Sequence, residues 1–82
     1  MFYTYILQSE KSGRLYIGQT SNIENRLLYH NTGKVKSTKN KGPWSILFFV
    51  KFPTRSEAYQ FEQKLKKWKS KKRVLEWINH QK

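Results

Sequence analysis

A chain of 82 residues is enough for one small domain, and residues 1–82 are read here as a single unit. The absence of cysteine excludes zinc ribbons, thiol nucleophiles and disulfide scaffolds, and fits a reducing, cytoplasmic setting. Lysine and arginine number 17 against 5 acids, a formal net charge of +12, so the expected partner is a polyanion, with nucleic acid first.

Phe2 to Gln8 is rich in aromatic and β-branched residues and reads as a strand. Ser9 to Gly13 reads as a turn, and Arg14 to Gln19 as the second strand of a hairpin. The turn is too long for its type to fix the register. If paired residue numbers sum to an odd number, Tyr5 and Tyr16 share a face. Two phenols held side by side can manage a phosphate and its protons; taken singly, each is also an ordinary strand residue.

Ser21-Asn22-Ile23-Glu24 has the spacing of a capping box, which predicts a helix from about Asn22 to about His30 with Ile23 and Leu27 on its apolar stripe. Arg26 and His30 are four apart and share a face beside that stripe. Asn31 to Ser45 carries Gly33, Gly42, Pro43 and four lysines, without helical or strand period, and is expected to be a long loop. Ile46 to Phe52 is almost continuously apolar and reads as a central, doubly covered strand.

Thr54-Arg55-Ser56-Glu57 is a second capping box, opening a helix with Ala58, Phe61, Leu65 and Trp68 on its core face and an end near Lys69-Ser70. Glu62 lies roughly 80° from the centre of that stripe, at the edge of the core. A last short helix, Lys71 to Asn79, is anchored by Val74, Leu75, Trp77 and Ile78. The fold class is therefore α+β, a small three-stranded antiparallel sheet flanked by helices. Ile46 to Val50 is too short to span a bilayer, and Phe2-Tyr3-Thr4-Tyr5 lacks the charged leader of a signal peptide, so no membrane partner is expected.

The candidate site gathers Tyr5, Tyr16, Arg26, His30 and Glu62. Each has a plainer reading. Arg26 can be one more solvated cation, and His30 a favourable charge at a helix end. Glu62 can be the partner of Lys66 at i+4. The lysines of the loop (Lys34, Lys36, Lys39 and Lys41) and of the last two helices (Lys66, Lys67, Lys69, Lys71 and Lys72) suit a nucleic-acid backbone, or simply form a solvated face.

The ordered spacing is more informative than any one member. The sequence resembles the GIY-YIG nuclease family over nearly its whole length. The second signature triplet is intact as Tyr16-Ile17-Gly18, while the first is degenerate, Tyr3-Thr4-Tyr5 keeping only its last tyrosine. Arg26 follows Tyr16 by ten residues and His30 comes four later. Glu62 falls on a helix after the third strand, where the family keeps its metal-binding glutamate. Asn31-Thr32-Gly33 and Arg55-Ser56-Glu57-Ala58 are similar to the small, stand-alone bacterial members of UPF0213 type. Many family nucleases carry an asparagine some twelve to fifteen residues beyond the glutamate; here that span runs from Val74 to Trp77 and holds none.

The resemblance implies a metal-dependent endonuclease hydrolysing DNA phosphodiester bonds with one Mg²⁺ or Mn²⁺ ion at Glu62; structure-specific cleavage in repair or recombination is one form of this. The single carboxylate agrees with one ion rather than two. Arg26 would neutralise charge on the phosphoryl oxygens. Tyr16 would orient or deprotonate the attacking water, which needs nearby cations because a phenol of pKa about 10 is a poor base at neutral pH. Tyr5 would orient water or phosphate, and His30 would accept or relay a proton. Loss of the asparagine points instead to a catalytically weak DNA- or RNA-binding module on the same scaffold. The lysine-rich loop alone would also suit a small ribosomal-type RNA-associated protein.

Overall fold

The computed structural model describes residues 1–81. Its elements are β1 (Phe2–Ser9), β2 (Leu15–Thr20), α1 (Ile23–Asn31), a 3₁₀ turn (Lys36–Thr38), β3 (Trp44–Phe52), α2 (Arg55–Lys67) and α3 (Lys71–His80). The strands form one antiparallel sheet in the order β2-β1-β3. This is the α+β architecture expected from the sequence.

The central strand differs from the expectation. It is β1, where Thr4, Tyr5, Ile6 and Leu7 are buried in succession because both faces of the sheet are covered there. β3 is an edge strand, and its apolar run is half uncovered: Ile46 is 36% and Phe49 45% exposed. Continuous hydrophobicity was a false sign of centrality, since β3 pairs on one side only. The β1–β3 register shifts between Ile6 and Leu7, which pair with Phe48 and Ile46, so Leu47 is the extra residue of a bulge.

Each face of the sheet has its own core. On one, Ile6, Leu65, Val74 and Ile78 are buried, with Phe48, Phe61 and Trp77 packed around them. On the other, Tyr5, Leu7 and Trp44 pack with Tyr16 and Leu27 of α1. Each fully buried aliphatic side chain contributes about 1.5–3 kcal/mol, so Leu65→Ala in the first core would cost about 2–5 kcal/mol.

The helices begin where side chains cap them. Thr54 accepts from Glu57 N and Ser70 from Arg73 N. At α1 the cap is Asn22, accepting from Asn25 N at 3.0 Å, and not Ser21 of the expected capping box. Asparagine and serine cap about equally well, and the chain enters the helix one residue later. The region expected to be a structureless loop contains the 3₁₀ turn, and β3 starts at Trp44. Asn31 fixes that start, donating to Trp44 O at 3.0 Å and accepting from Trp44 N at 2.7 Å. Among the described residues no helix is long and apolar enough to cross a membrane.

Candidate active site

Tyr5 lies at the centre of the constellation. Its partner across the β1–β2 ladder is Gly18. The ring extends over that glycine so closely that a β-carbon there would stand 2.5 Å from the hydroxyl and 2.7 Å from Cζ. Only glycine lets the phenol pass. Tyr16 pairs with Leu7, two residues from Tyr5, so the register has the required odd parity and both phenols occupy one face. Their ring centroids are 6.3 Å apart.

α1 lies over this face and brings Arg26 and His30 to it. The Tyr5 hydroxyl is 3.0 Å from His30 Nε2, and His30 Nδ1 is 2.7 Å from Thr38 Oγ1. The Tyr16 ring meets the imidazole edge-on with centroids 4.7 Å apart. His30 is 2% exposed. Burial first, then the positive charge of Arg26, lowers its pKa to about 4. His30 is thus neutral at pH 7, and the reading of it as a cation at a helix end is withdrawn, since only imidazolium gains from that field.

Arg26 is half-buried, with its guanidinium toward the hydroxyls of Tyr5 and Tyr16. Its contact with Tyr5 is the main cause raising its pKa. The Tyr5 pKa is raised chiefly by burial; the nearby Arg26 guanidinium opposes this, while negative charge on Tyr16 and Glu62 adds to it. Tyr5 is therefore a neutral phenol at pH 7, and its hydroxyl touches His30 directly.

Glu62 arrives from the other layer. α2 packs on the opposite face of β1 and β2, where Thr4 donates to Ala58 O at 2.6 Å. Glu62 is 8% exposed, more deeply placed than its position on the stripe's edge suggested. Its Oε2 accepts from Lys66 Nζ at 2.6 Å, so the plain i+4 pair exists. Among the described residues no group of three or more His, Cys, Asp or Glu could hold an ion. A lone hard carboxylate fits Mg²⁺ or Mn²⁺ that keeps most of its water, and fits neither zinc nor a two-ion centre.

The profile described as the GIY-YIG catalytic domain matches residues 1–74. The chain belongs to the GIY-YIG family. Its relatives include a UPF0213 protein of Oceanobacillus iheyensis, 45% identical over 65 residues, which cover 78% of this chain and 74% of that protein. A UPF0213 protein of Bacillus pumilus is 38% identical over 74 residues, covering 89% and 74%. The solution NMR structure of a UPF0213 protein from Bacillus halodurans superposes with a TM-score of 0.60 at 30% identity, covering 96% of this chain and 84% of that one.

The lysines singled out from the sequence fall mainly into two groups. Lys34, Lys36, Lys39 and Lys41 are exposed on the segment between α1 and β3, and Lys39 and Lys11 border a cleft that reaches His30. Lys66, Lys69 and Lys71 surround a separate pocket with Arg14, whereas Lys67 is exposed on another side of α2 beside Tyr59. Lys72 is also exposed.

Three contributors escaped the sequence reading. Thr38 orients His30 from inside the supposed loop, eight positions along the chain, and the segment between them carries no periodic signal. Asn31 had only its place in Asn31-Thr32-Gly33. Gly18 stood in the signature triplet, but its reason, the ring of Tyr5, is visible only in three dimensions.

Proposed function

We propose that this chain is a metal-dependent endonuclease acting on DNA. The observation that supports the reading is the cluster under α1: the Tyr5 hydroxyl 3.0 Å from His30 Nε2, the Tyr16 ring 6.3 Å from that of Tyr5, and Arg26 beside both phenols. A permanent cation, an accessible phenol and a lone carboxylate are what phosphodiester hydrolysis needs around one phosphate.

Tyr16, half-buried where Tyr5 is buried, is the phenol that orients or deprotonates the attacking water. Arg26 holds the phosphoryl oxygens and stabilises charge growing on them. Tyr5 is a positioning residue: its hydroxyl, held by His30, keeps the Arg26 guanidinium in place. His30, neutral and buried, acts through Tyr5. Glu62 would hold a hydrated Mg²⁺ or Mn²⁺ ion, which when bound supplies electrostatic stabilisation of the leaving oxygen. The two lysine groups flank this site and would carry the backbone without reading sequence.

One observation favours a second reading, a weakly catalytic DNA- or RNA-binding module. Where many family nucleases carry an asparagine, Val74 is buried in the core and Trp77 packs on Phe48 and Phe61 at centroid distances of 5.5 and 5.4 Å. Neither of these two side chains can serve the site. The deciding experiment is cleavage of branched, nicked and single-stranded DNA with Mg²⁺ or Mn²⁺. Hydrolysis abolished by EDTA supports the first reading. Binding without hydrolysis of any substrate establishes the second.

A further inference from the structure

One turn beyond Glu62 on α2, the chain makes a feature that the phosphodiesterase chemistry does not use. Between β2 and the α2–α3 turn lies a pocket of about 290 Å³. Leu15 and Ile17 of β2 contribute to its apolar floor, and Arg14, Lys66, Lys69 and Lys71 form its rim. The volume is near the lower end of ligand pockets, roughly 300–1,000 Å³.

The rim is placed by backbone geometry rather than by ion pairing. Lys69 adopts a left-handed φ of 49°, which turns the chain sharply from α2 into α3. Lys71 Nζ lies 3.1 Å from where a β-carbon on Gly13 would stand, so this ammonium reaches across to the β1–β2 turn and closes the side next to Arg14. Among the described residues only Lys66 of the four pairs with a carboxylate, and that carboxylate is Glu62. An apolar floor under a cationic rim is complementary to a single nucleotide, with the base or sugar against β2 and the phosphates on the rim. A base still paired in a duplex cannot present that apolar face, so the occupant must be unpaired.

We infer that this pocket receives one unpaired nucleotide of the DNA substrate, next to the phosphate handled at Glu62. The inference rests on the nuclease reading above and assigns it a substrate class: duplexes that carry an unpaired strand at the cleavage point.

The test reads binding alone, in EDTA, so that loss of hydrolysis and loss of this preference stay distinguishable. The probes are a blunt hairpin duplex and the same hairpin with a short unpaired tail at its 3′ or 5′ end, with 2-aminopurine as the first unpaired base. One tailed probe should bind about fivefold tighter than the blunt one or better, with a change in 2-aminopurine fluorescence, as expected when a base leaves water for an apolar floor. The double variant Arg14→Gln, Lys71→Gln should bring that ratio toward one and abolish the fluorescence change. The control Lys34→Gln, Lys36→Gln removes the same charge elsewhere; it should weaken binding to all probes and leave the ratio intact. Equal affinity of the wild type for blunt and tailed probes overturns the inference. So does a preference that survives the Arg14, Lys71 variant.

Discussion

The Tyr5 hydroxyl passes over Gly18 with no room for a side chain: a β-carbon would lie 2.5 Å from it. The last letter of Tyr16-Ile17-Gly18 is thus a space reserved for the tyrosine that remains of the degenerate first triplet. Gly18→Ala forces the Tyr5 ring aside and strains the buried layer under α1. The expected cost is about 1–3 kcal/mol in urea unfolding, typical of overpacking. Cleavage should fall by about tenfold or more, because misplacing positioning groups by an ångström can cost up to a hundredfold. A variant with wild-type stability and rate would mean that the ring relaxes freely and that its placement is unimportant.

His30 makes stability depend on pH. The unfolded chain takes up a proton on this imidazole below about 6.5 and the folded chain only below about 4. Its contribution is complete above pH 6.5, declines as pH falls toward 4, and then levels off. The loss attributable to this residue is on the order of 3 kcal/mol. Urea melts at pH 7, 6, 5 and 4 check it, with His30→Gln as the reference. If the wild type and His30→Gln lose stability in parallel over this range, the imidazole is not held neutral.

Thr38 should set which nitrogen of His30 carries the proton. Its hydroxyl lies 3.3 Å from Val35 O; donating there, it accepts from Nδ1–H at 2.7 Å. Nε2 is then the acceptor for the Tyr5 hydroxyl. The ¹⁵N shifts of His30 should report the Nδ1–H tautomer. Thr38→Val leaves a buried N–H without a partner, costing about 1–3 kcal/mol, and Thr38→Ser should restore both the tautomer and most of the stability. An Nε2–H tautomer in the wild type contradicts this arrangement.

The charge distribution predicts how DNA binding responds to salt. Log Kd against log salt should be steep, with a slope of about 0.9 for each phosphate neutralised. Replacing Lys66, Lys67, Lys69, Lys71 and Lys72 with glutamine should weaken binding and flatten the slope. If both quantities hold at wild-type values, these lysines, which lie on more than one side of α2, do not contact DNA and are solvated surface.

What was legible in the sequence follows from the range of the forces involved. Thr54 caps α2 locally and Val74, Leu75, Trp77 and Ile78 anchor α3, so both helices could be placed from short patterns. The shared face of Tyr5 and Tyr16 needed only the parity of the strand register. The identity of the central strand depends on which strands pair, a long-range choice that the apolar run of β3 does not encode. Thr38 was invisible for a related reason: its role comes from the chain folding back onto His30. Glu62 was legible as a position on a helix, but its depth of burial, 8% exposed, was not.

The separation of chemistry from binding falls to Glu62. Its carboxylate is the lone candidate for holding an ion, and one of its oxygens already accepts from Lys66 at 2.6 Å. Glu62→Gln keeps the shape and removes the charge. Hydrolysis should drop by on the order of a hundredfold or more, because an ion stabilising developing charge is worth several kcal/mol. Metal-free affinity for DNA should stay level or rise slightly, since one negative charge leaves a site meant for phosphate. The fold should persist, though the buried position leaves room for a modest loss in unfolding free energy. Tyr16→Phe should lose rate with little change in affinity, because only a hydroxyl is deleted. Arg26→Ala should lose both, because it removes a cation that binds the ground state as well as the transition state. The paired measurement is the initial cleavage rate and the metal-free dissociation constant for each variant on one substrate. Wild-type cleavage by Glu62→Gln would eliminate the carboxylate as the ion's ligand, and an equal loss of rate and affinity in all three variants would reduce the whole constellation to a binding surface.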